Sequence, residues 1–197
     1  MAGFTTHTGK IAVYNADQVD TDRIIPARFL SRVSRSGYGE LLFMDVRGPE
    51  FPLDQPEAQG ATILVGGMNF GCGSSREHAV WAIQQAGFVV VIGRAGENPG
   101  FSDIFRQNSS NCGLLLAEVN TEDHAKIVAA GNGATLTVDL PNQTVEVNGE
   151  KLPFTISPAT KDQMLAGLDL IGTTLVHDEK ITEFEQGWSS FASTAQR

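Results

Sequence analysis

The sequence is poor in cysteine and in positive charge, and each shortage weighs against a class of protein. Its 197 residues include two cysteines, Cys72 and Cys112, which do not form a CxxC pair. A disulfide framework is therefore disfavoured, and we expect both thiols to be reduced. The 14 Lys and Arg residues against 23 Asp and Glu residues give a formal net charge of -9. This balance disfavours a nucleic-acid partner, because phosphate binding needs a basic surface.

Long apolar runs are also missing. No run approaches the roughly 20 residues that a membrane-spanning helix needs. The first ten residues, MAGFTTHTGK, lack the charged and then apolar pattern of a signal peptide. Together with the acidic composition, these features lead us to expect a cytoplasmic protein with no membrane partner.

The first half of the chain contains a pattern typical of parallel sheets. An apolar strand (GKIAVYN, 9–15) is followed by an arginine-rich stretch around Pro26, which predicts a loop with a helical turn, and then by an irregular connection over 47–60. Next come a strand (ATILVGG), a glycine-rich segment, a helix (SREHAVWAIQQAG, 75–87) and a buried strand (FVVVIG). This order of elements predicts a parallel βαβ unit.

The second half continues with different signals. We expect a loop over 94–113, a strand at 114–119, and a helix from Asn120 or Thr121 to Gly131. Residues 134–140 and 144–156 alternate apolar and polar residues around Asn148-Gly149, which predicts an antiparallel hairpin. Short helices are expected around 163–170 and 179–186, before a frayed tail over about 188–197. The prediction is one α/β domain over residues 1–197, with a parallel βαβ core and an antiparallel hairpin segment.

The segment GCGSSREHA (71–79) is the most informative stretch of the sequence. It lacks the GxGxxG pattern of dinucleotide sites, the Gly-Lys-Ser/Thr end of a P-loop and the GxSxG pattern of hydrolases. Ser74 to Glu77 fit the S-x-x-E capping box, which predicts a helix that starts at Ser74. Unpaired amides at a helix start attract anions, and Arg76 can bind a carboxylate with two hydrogen bonds. These features predict a carboxylate site with a hydroxyl at its centre.

A purely structural interpretation of the same segment remains open. Capping boxes and glycine-rich turns occur in many α/β proteins without any ligand. In that interpretation Glu77 belongs to the cap, and Cys72 and His78 are packing residues.

Three motifs, in this order, resemble one known family: VDTDRIIPARFL (19–30), NFGCGSSREHA (69–79) and FSDIFRQNSSNCG (101–113). They are similar to the small subunits of 3-isopropylmalate dehydratase, also called isopropylmalate isomerase, in the aconitase superfamily. The likeness covers nearly the whole chain. It implies a swivelling β/β/α domain that packs against a separate large subunit, which carries a [4Fe–4S] cluster with one iron open to substrate. The implied reaction converts 2-isopropylmalate into 3-isopropylmalate, for leucine biosynthesis, by removing and re-adding water.

The resemblance also implies roles for individual residues. Ser74 corresponds to the catalytic base. Ser75 and Arg76 correspond to ligands of the substrate carboxylate, and Gly73 belongs to the same substrate-binding loop. Asp22 corresponds to an acidic group of the active site.

The aspartates of the first motif and the arginines of the loop after its IIP segment (24–26) leave alternatives open. We favour Arg32 as the residue that meets a second substrate carboxylate, but Arg28 or Arg35 could do so, or all three could form a solvated face. One of Asp20 and Asp22 could be a turn or cap residue instead of a site residue.

The cysteine content decides where an iron–sulfur cluster could be held. Such clusters use thiolate ligands, usually four, and this chain has two cysteines far apart in the sequence. We therefore expect the chain to bind no cluster alone. Together with the resemblance, this implies an iron–sulfur partner subunit and a small dicarboxylate substrate. Two alternatives are a small subunit for a related substrate, such as homoaconitate, citramalate or dimethylmalate, and a non-catalytic carboxylate-binding module.

Overall fold

The computed structural model describes residues 3–187, and its centre is one mixed sheet of seven strands in the order β4-β3-β2-β1-β5-β6-β7. The strands are Thr6–Val13 (β1), Ile63–Val65 (β2), Val90–Ala95 (β3), Leu115–Asn120 (β4), Thr135–Asp139 (β5), Thr144–Val147 (β6) and Glu150–Pro153 (β7). Strand β1 joins the two halves of the sheet. Its residues 11–13 pair in parallel with β2, and its residues 6–10 pair antiparallel with β5.

This topology confirms the predicted fold class. Strands β2, β3 and β4 continue the parallel half, and β5, β6 and β7 form the antiparallel half. At the predicted hairpin turn, Asn148 and Gly149 have φ angles of 51° and 82°. Both are in the left-handed region that a two-residue hairpin turn of this kind requires.

Seven α-helices surround the sheet within residues 3–187. They are Thr21–Ile24 (α1), Glu77–Gln85 (α2), Asp103–Cys112 (α3), Thr121–Ala130 (α4), Pro158–Ala166 (α5), Leu170–Leu175 (α6) and Asp178–Gly187 (α7). Short 3-10 turns occupy Ala27–Phe29, Gly39–Leu41, Pro52–Asp54 and Pro56–Ala58. None of the described helices is long and apolar enough to cross a bilayer.

The parallel half of the sheet is buried on both faces, as its apolar strands predict. Leu64 of β2 packs in a core with Ile83 of α2, while its neighbour Ile63 packs in the opposite core with Ile127 of α4. All four side chains are fully buried. Since adjacent strand residues point to opposite faces, a continuous apolar run is what two covered faces require.

The predicted loop over 94–113 is wrong, because its second half is the helix α3. The Ser102 side chain caps this helix by accepting a hydrogen bond from the Phe105 N–H, and Gly113 ends it with a φ of 80°. The buried face of α3 consists of Phe105, Ser109 and Ser110. Two of these three residues are polar, so the sequence has few apolar residues to mark the buried face of this helix.

The structure has two helices, α5 and α6, where the sequence predicts a single helix around 163–170. Gly167 ends α5 in a left-handed conformation with φ of 67°, and α6 begins at Leu170. The predicted helix around 179–186 is confirmed as α7. The predicted frayed tail, 188–197, lies outside the described residues, and the domain span of 1–197 stays a prediction.

Gly71 connects the glycine-rich segment to the body of the fold. Its N–H donates to the Val19 oxygen at 2.8 Å, and its own oxygen accepts from Ser102 Oγ at 2.6 Å. It has a φ of 75°, and a Cβ at this position would overlap the side chain of buried Phe105. Only glycine therefore satisfies both the backbone conformation and the packing.

Gly71→Ala should destabilise the chain more than the control Gly60→Ala. Both glycines have a positive φ, so alanine incurs a backbone cost of about 1–2 kcal/mol at either position. At Gly60 nothing lies within 4 Å of the added Cβ, whereas at Gly71 overpacking should add about 1–3 kcal/mol. Urea unfolding measures the difference, and equal losses of unfolding free energy would contradict this packing.

Candidate active site

The glycine-rich segment leads from the end of β2 to the start of α2 and lies at the protein surface. Gly73, Ser74 and Ser75 are exposed, and Arg76 is half-buried. Gly73 has a φ of 88°. The segment therefore presents two hydroxyl-bearing residues and one guanidinium side by side at the entrance to a helix.

The predicted capping box is wrong. Helix α2 begins at Glu77, and its N-cap residue is Arg76, in extended conformation and without a side-chain cap bond. The Glu77 carboxylate turns instead towards Trp81 Nε1 and Cys112 Sγ, each 3.2 Å away. Ser74 thus lies before the helix and not at its cap, and Glu77 is a packing partner.

The reason for this late helix start is a hydrogen-bonded crossing with residues 19–21. The Thr21 N–H donates to the Cys72 oxygen at 2.9 Å, and Thr21 Oγ1 donates to the Ser74 oxygen at 3.0 Å. With the Gly71 to Val19 bond, these contacts form a short parallel pairing that includes the bridge between Asp20 and Cys72. Tertiary hydrogen bonds therefore override the local capping signal.

The crossing brings together Asp22 and Arg76, two of the residues predicted for the site. Their side chains form an ion pair in which the guanidinium is 16% exposed and the carboxylate 53% exposed. Asp20 has a different task, because its carboxylate accepts from the Arg23 N–H at 2.7 Å and caps α1. The alternative that one of the two aspartates is a cap residue is confirmed, and that residue is Asp20.

Thr21 was not among the residues predicted from the sequence, although it touches Ser74. It is 1% exposed and stands between the two exposed aspartates of the DTD motif. The sequence signal for Thr21 is its position between two aspartates. The sequence does not show which segment its hydroxyl contacts.

Each of the three arginines in the loop after the IIP segment (24–26) has a contact within the chain. Arg32 donates to the Gly37 oxygen at 3.1 Å, Arg28 pairs with Asp45, and Arg35 lies 5.2 Å from the centroid of the Trp81 ring. All three residues are exposed. The role predicted for Arg32 in binding a second carboxylate stays a prediction.

The two cysteines cannot supply the four thiolates that an iron–sulfur cluster usually needs. Burial raises the pKa of the Cys112 thiol to about 12, assisted by the nearby Glu77 carboxylate, and burial also raises the pKa of Cys72. Within residues 3–187, no group of three or more His, Cys, Asp or Glu side chains could hold a metal ion. The described residues therefore do not fit an iron–sulfur cluster.

The site contains positive groups that attract an anion, although the Asp22 carboxylate offsets part of the Arg76 charge. The guanidinium of Arg76 and the first amides of α2 are positive, and the nine-residue helix directs its dipole at the segment before it. A small carboxylate placed over Ser74 and Ser75 would meet this charge. The arrangement can bind a carboxylate and hold a hydroxyl beside it.

Two family models together match most of the chain. The family model of the Aconitase C-terminal domain matches residues 1–122, and the model LeuD_N matches residues 125–158. The first match includes every residue predicted for the site.

Individual relatives match the chain almost end to end. Proteins named 3-isopropylmalate dehydratase small subunit are 43% identical in a Shewanella species, over 96% of this chain and 100% of the relative, and 44% identical in Kocuria rhizophila, over 98% and 97%. Among solved structures, a 3-isopropylmalate dehydratase from Methanocaldococcus jannaschii has a TM-score of 0.65 and 26% identity, covering 92% of this chain and 99% of that one. The structural likeness agrees with the predicted fold.

In the single-cysteine variant Cys72→Ser, Cys112 should react with iodoacetamide far more slowly in the folded chain than in concentrated urea. The thiolate is the reactive form, and a pKa of about 12 leaves little of it near pH 8. Raising the pH towards 12 should accelerate the reaction of the folded chain. Mass spectrometry of the alkylated protein gives the rates, and equal rates for folded and unfolded chain would contradict the burial of this thiol.

Proposed function

We propose a function for this chain from one premise: it belongs to the family of 3-isopropylmalate dehydratase small subunits, which carries the aconitase C-terminal domain. This membership confirms the family resemblance carried by the three sequence motifs. The chain is the small subunit of a hydro-lyase that converts 2-isopropylmalate into 3-isopropylmalate, by loss and re-addition of water, in leucine biosynthesis.

The observation that carries the residue assignment is the position of Ser74. It is an exposed serine whose main chain is fixed by Thr21 and whose neighbour Arg76 is oriented by an ion pair. Loss of water from a malate requires removal of a proton from the carbon beside a carboxylate. We assign this proton to Ser74 Oγ acting as an alkoxide: the serine's own proton is first lost to solvent, and the transfer from carbon restores the neutral hydroxyl. A serine hydroxyl is a weak base, so fixed positive charge around it is needed for this role. The departing hydroxyl would need a Lewis acid, which an iron–sulfur cluster of the large subunit would supply.

Binding of the substrate carboxylate is assigned to Arg76 and Ser75. Arg76 already holds one carboxylate, that of Asp22, and a guanidinium has five N–H donors, so it can hold a second. Asp22 then fixes the direction of the guanidinium. Gly73, which has no Cβ, lets the substrate approach the main chain. Arg32 remains our candidate for the second carboxylate.

The rest of the active site must come from another chain. The described residues do not fit an iron–sulfur cluster, and the proposed base lies on an open surface. We assign the cluster to the large subunit and the small dicarboxylate substrate to the space between the two chains. The acidic composition of this chain supports a cytoplasmic location.

Reconstitution with the cognate large subunit tests this function. The small subunit alone should not convert 2-isopropylmalate. The mixture, with the large subunit loaded with its cluster under reducing conditions, should convert it. Conversion by this chain alone, or no conversion by a mixture whose large subunit holds its iron, would refute the proposal.

Ser74→Ala should lower kcat of the reconstituted enzyme by about 10²–10⁴-fold, the range typical for loss of a general base. Because Ser74 is exposed, its thermal unfolding should match the wild type. Ser75→Ala is the comparison, and it should raise KM while kcat stays near the wild-type value. A Ser74→Ala enzyme with wild-type kcat would show that another group removes the proton.

Arg76→Lys should raise KM for 2-isopropylmalate by about 10–100-fold. Lysine keeps the charge but loses the two-pronged geometry, and a charge-assisted hydrogen bond contributes about 1.5–3 kcal/mol. Arg47→Lys is the matched control, because Arg47 also pairs with an aspartate, Asp54, at 2.7 Å. Steady-state kinetics of the two reconstituted variants measure the difference, and equal KM values would remove Arg76 from the binding site.

A further inference from the structure

We propose that Thr21 is a positioning residue for Ser74, and that its buried hydroxyl fixes the main chain from which the serine side chain projects. The proposal rests on the proposed function, because it concerns the same serine. It assigns a task to a threonine that touches no substrate.

The first support is that Thr21 makes two hydrogen bonds with the glycine-rich segment. Its N–H donates to the Cys72 oxygen at 2.9 Å, and its Oγ1 donates to the Ser74 oxygen at 3.0 Å. One residue therefore holds two alternate carbonyl groups of the segment. Thr21 is itself 1% exposed, so its hydroxyl has no freedom to turn towards water.

The second support is the position of this bond along the segment. Upstream, Gly71 is held on both sides by Val19 and Ser102. Downstream, the next main-chain hydrogen bond in the described structure joins the Ala79 N–H to the Arg76 oxygen at 3.1 Å. Between them, Gly73 has a φ of 88° and is exposed. The hydrogen bond from the Thr21 hydroxyl therefore fixes the main chain at Ser74, directly after a glycine that can adopt many backbone conformations.

The third support is that α1 holds the base and the carboxylate ligand together. Thr21 fixes the main chain of Ser74, while the next residue, Asp22, pairs with Arg76. The helix is anchored in the core by Ile24, which is fully buried. A shift of Ser74 relative to Arg76 would move the hydroxyl away from the substrate proton, and proton transfer falls steeply with such misplacement.

Two substitutions of Thr21 distinguish the effect of its hydroxyl from the effect of its side-chain shape. Thr21→Val keeps the branched shape and removes the donor. Thr21→Ser keeps the donor and removes a buried methyl group. A merely structural role predicts that activity follows stability, whereas a positioning role predicts that activity follows the hydroxyl.

We expect Thr21→Val to lower kcat of the reconstituted enzyme about tenfold, with KM within about threefold of the wild type. Thr21→Ser should restore kcat to within about twofold, although it loses buried apolar contact. Wild-type kcat in Thr21→Val, or no rescue by Thr21→Ser, would overturn the proposal.

A measurement on the isolated chain separates this proposal from the proposed function. Backbone ¹⁵N relaxation reports order parameters, which are near 0.85 in rigid segments and below about 0.6 in flexible ones. At Ser74 and Ser75 the value should fall in Thr21→Val and stay at the wild-type level in Thr21→Ser. Unchanged values in Thr21→Val would refute the anchoring role whatever the activity. If the values fall as expected but the wild-type pair is inactive, the anchor is supported and the proposed function fails.

Discussion

Three hydrogen bonds between residues 19–21 and 71–74 create the surface on which the proposed chemistry depends. They join Gly71 to Val19, and Thr21 to both Cys72 and Ser74. The crossing is buried on one side, since Val19 and Thr21 are nearly inaccessible, and open on the other, where Ser74 is exposed. Such a pairing fixes main chain through buried bonds while it leaves a hydroxyl free for a ligand.

The support beneath the crossing comes from aromatic packing. Phe70, Phe101 and Phe105 form a cluster with ring centroids 5.7–6.5 Å apart, and Gly71 lies against the last of these rings. Ser102 ties the cap of α3 to the Gly71 oxygen at 2.6 Å. Helix α3, which the sequence pattern did not reveal, is thus part of the platform that presents Ser74. Its placement explains why a third motif accompanies the first two.

The sequence predicts the sheet better than the site, for physical reasons. Strands such as FVVVIG are continuous apolar runs, and the Asn148-Gly149 turn demands positive φ angles, so both are determined locally. The S-x-x-E pattern before α2 was equally local, but three tertiary hydrogen bonds overrode it. The pairing of Arg76 with Asp22 spans 54 positions, and no local pattern encodes it. The resemblance placed both residues near the site, but not the threonine that holds the serine.

The site is an open surface and not a pocket. A partly open cavity of about 70 Å³ lies between α3, β4 and α5. Ser110 and Met164 line this cavity, and Ser74 and Arg76 are not among its lining residues. A base on an open surface cannot exclude water, and catalysis by fixed charges is weak in water. The proposed large subunit would therefore supply both the iron and the enclosure.

The most direct test of the Ser74 assignment is a crystal structure of the two-subunit complex with 3-isopropylmalate bound. Our account predicts Ser74 Oγ within about 3.5 Å of the substrate carbon that exchanges its proton, the separation expected for reacting groups. A bound substrate whose reacting carbon faces away from Ser74 would contradict it.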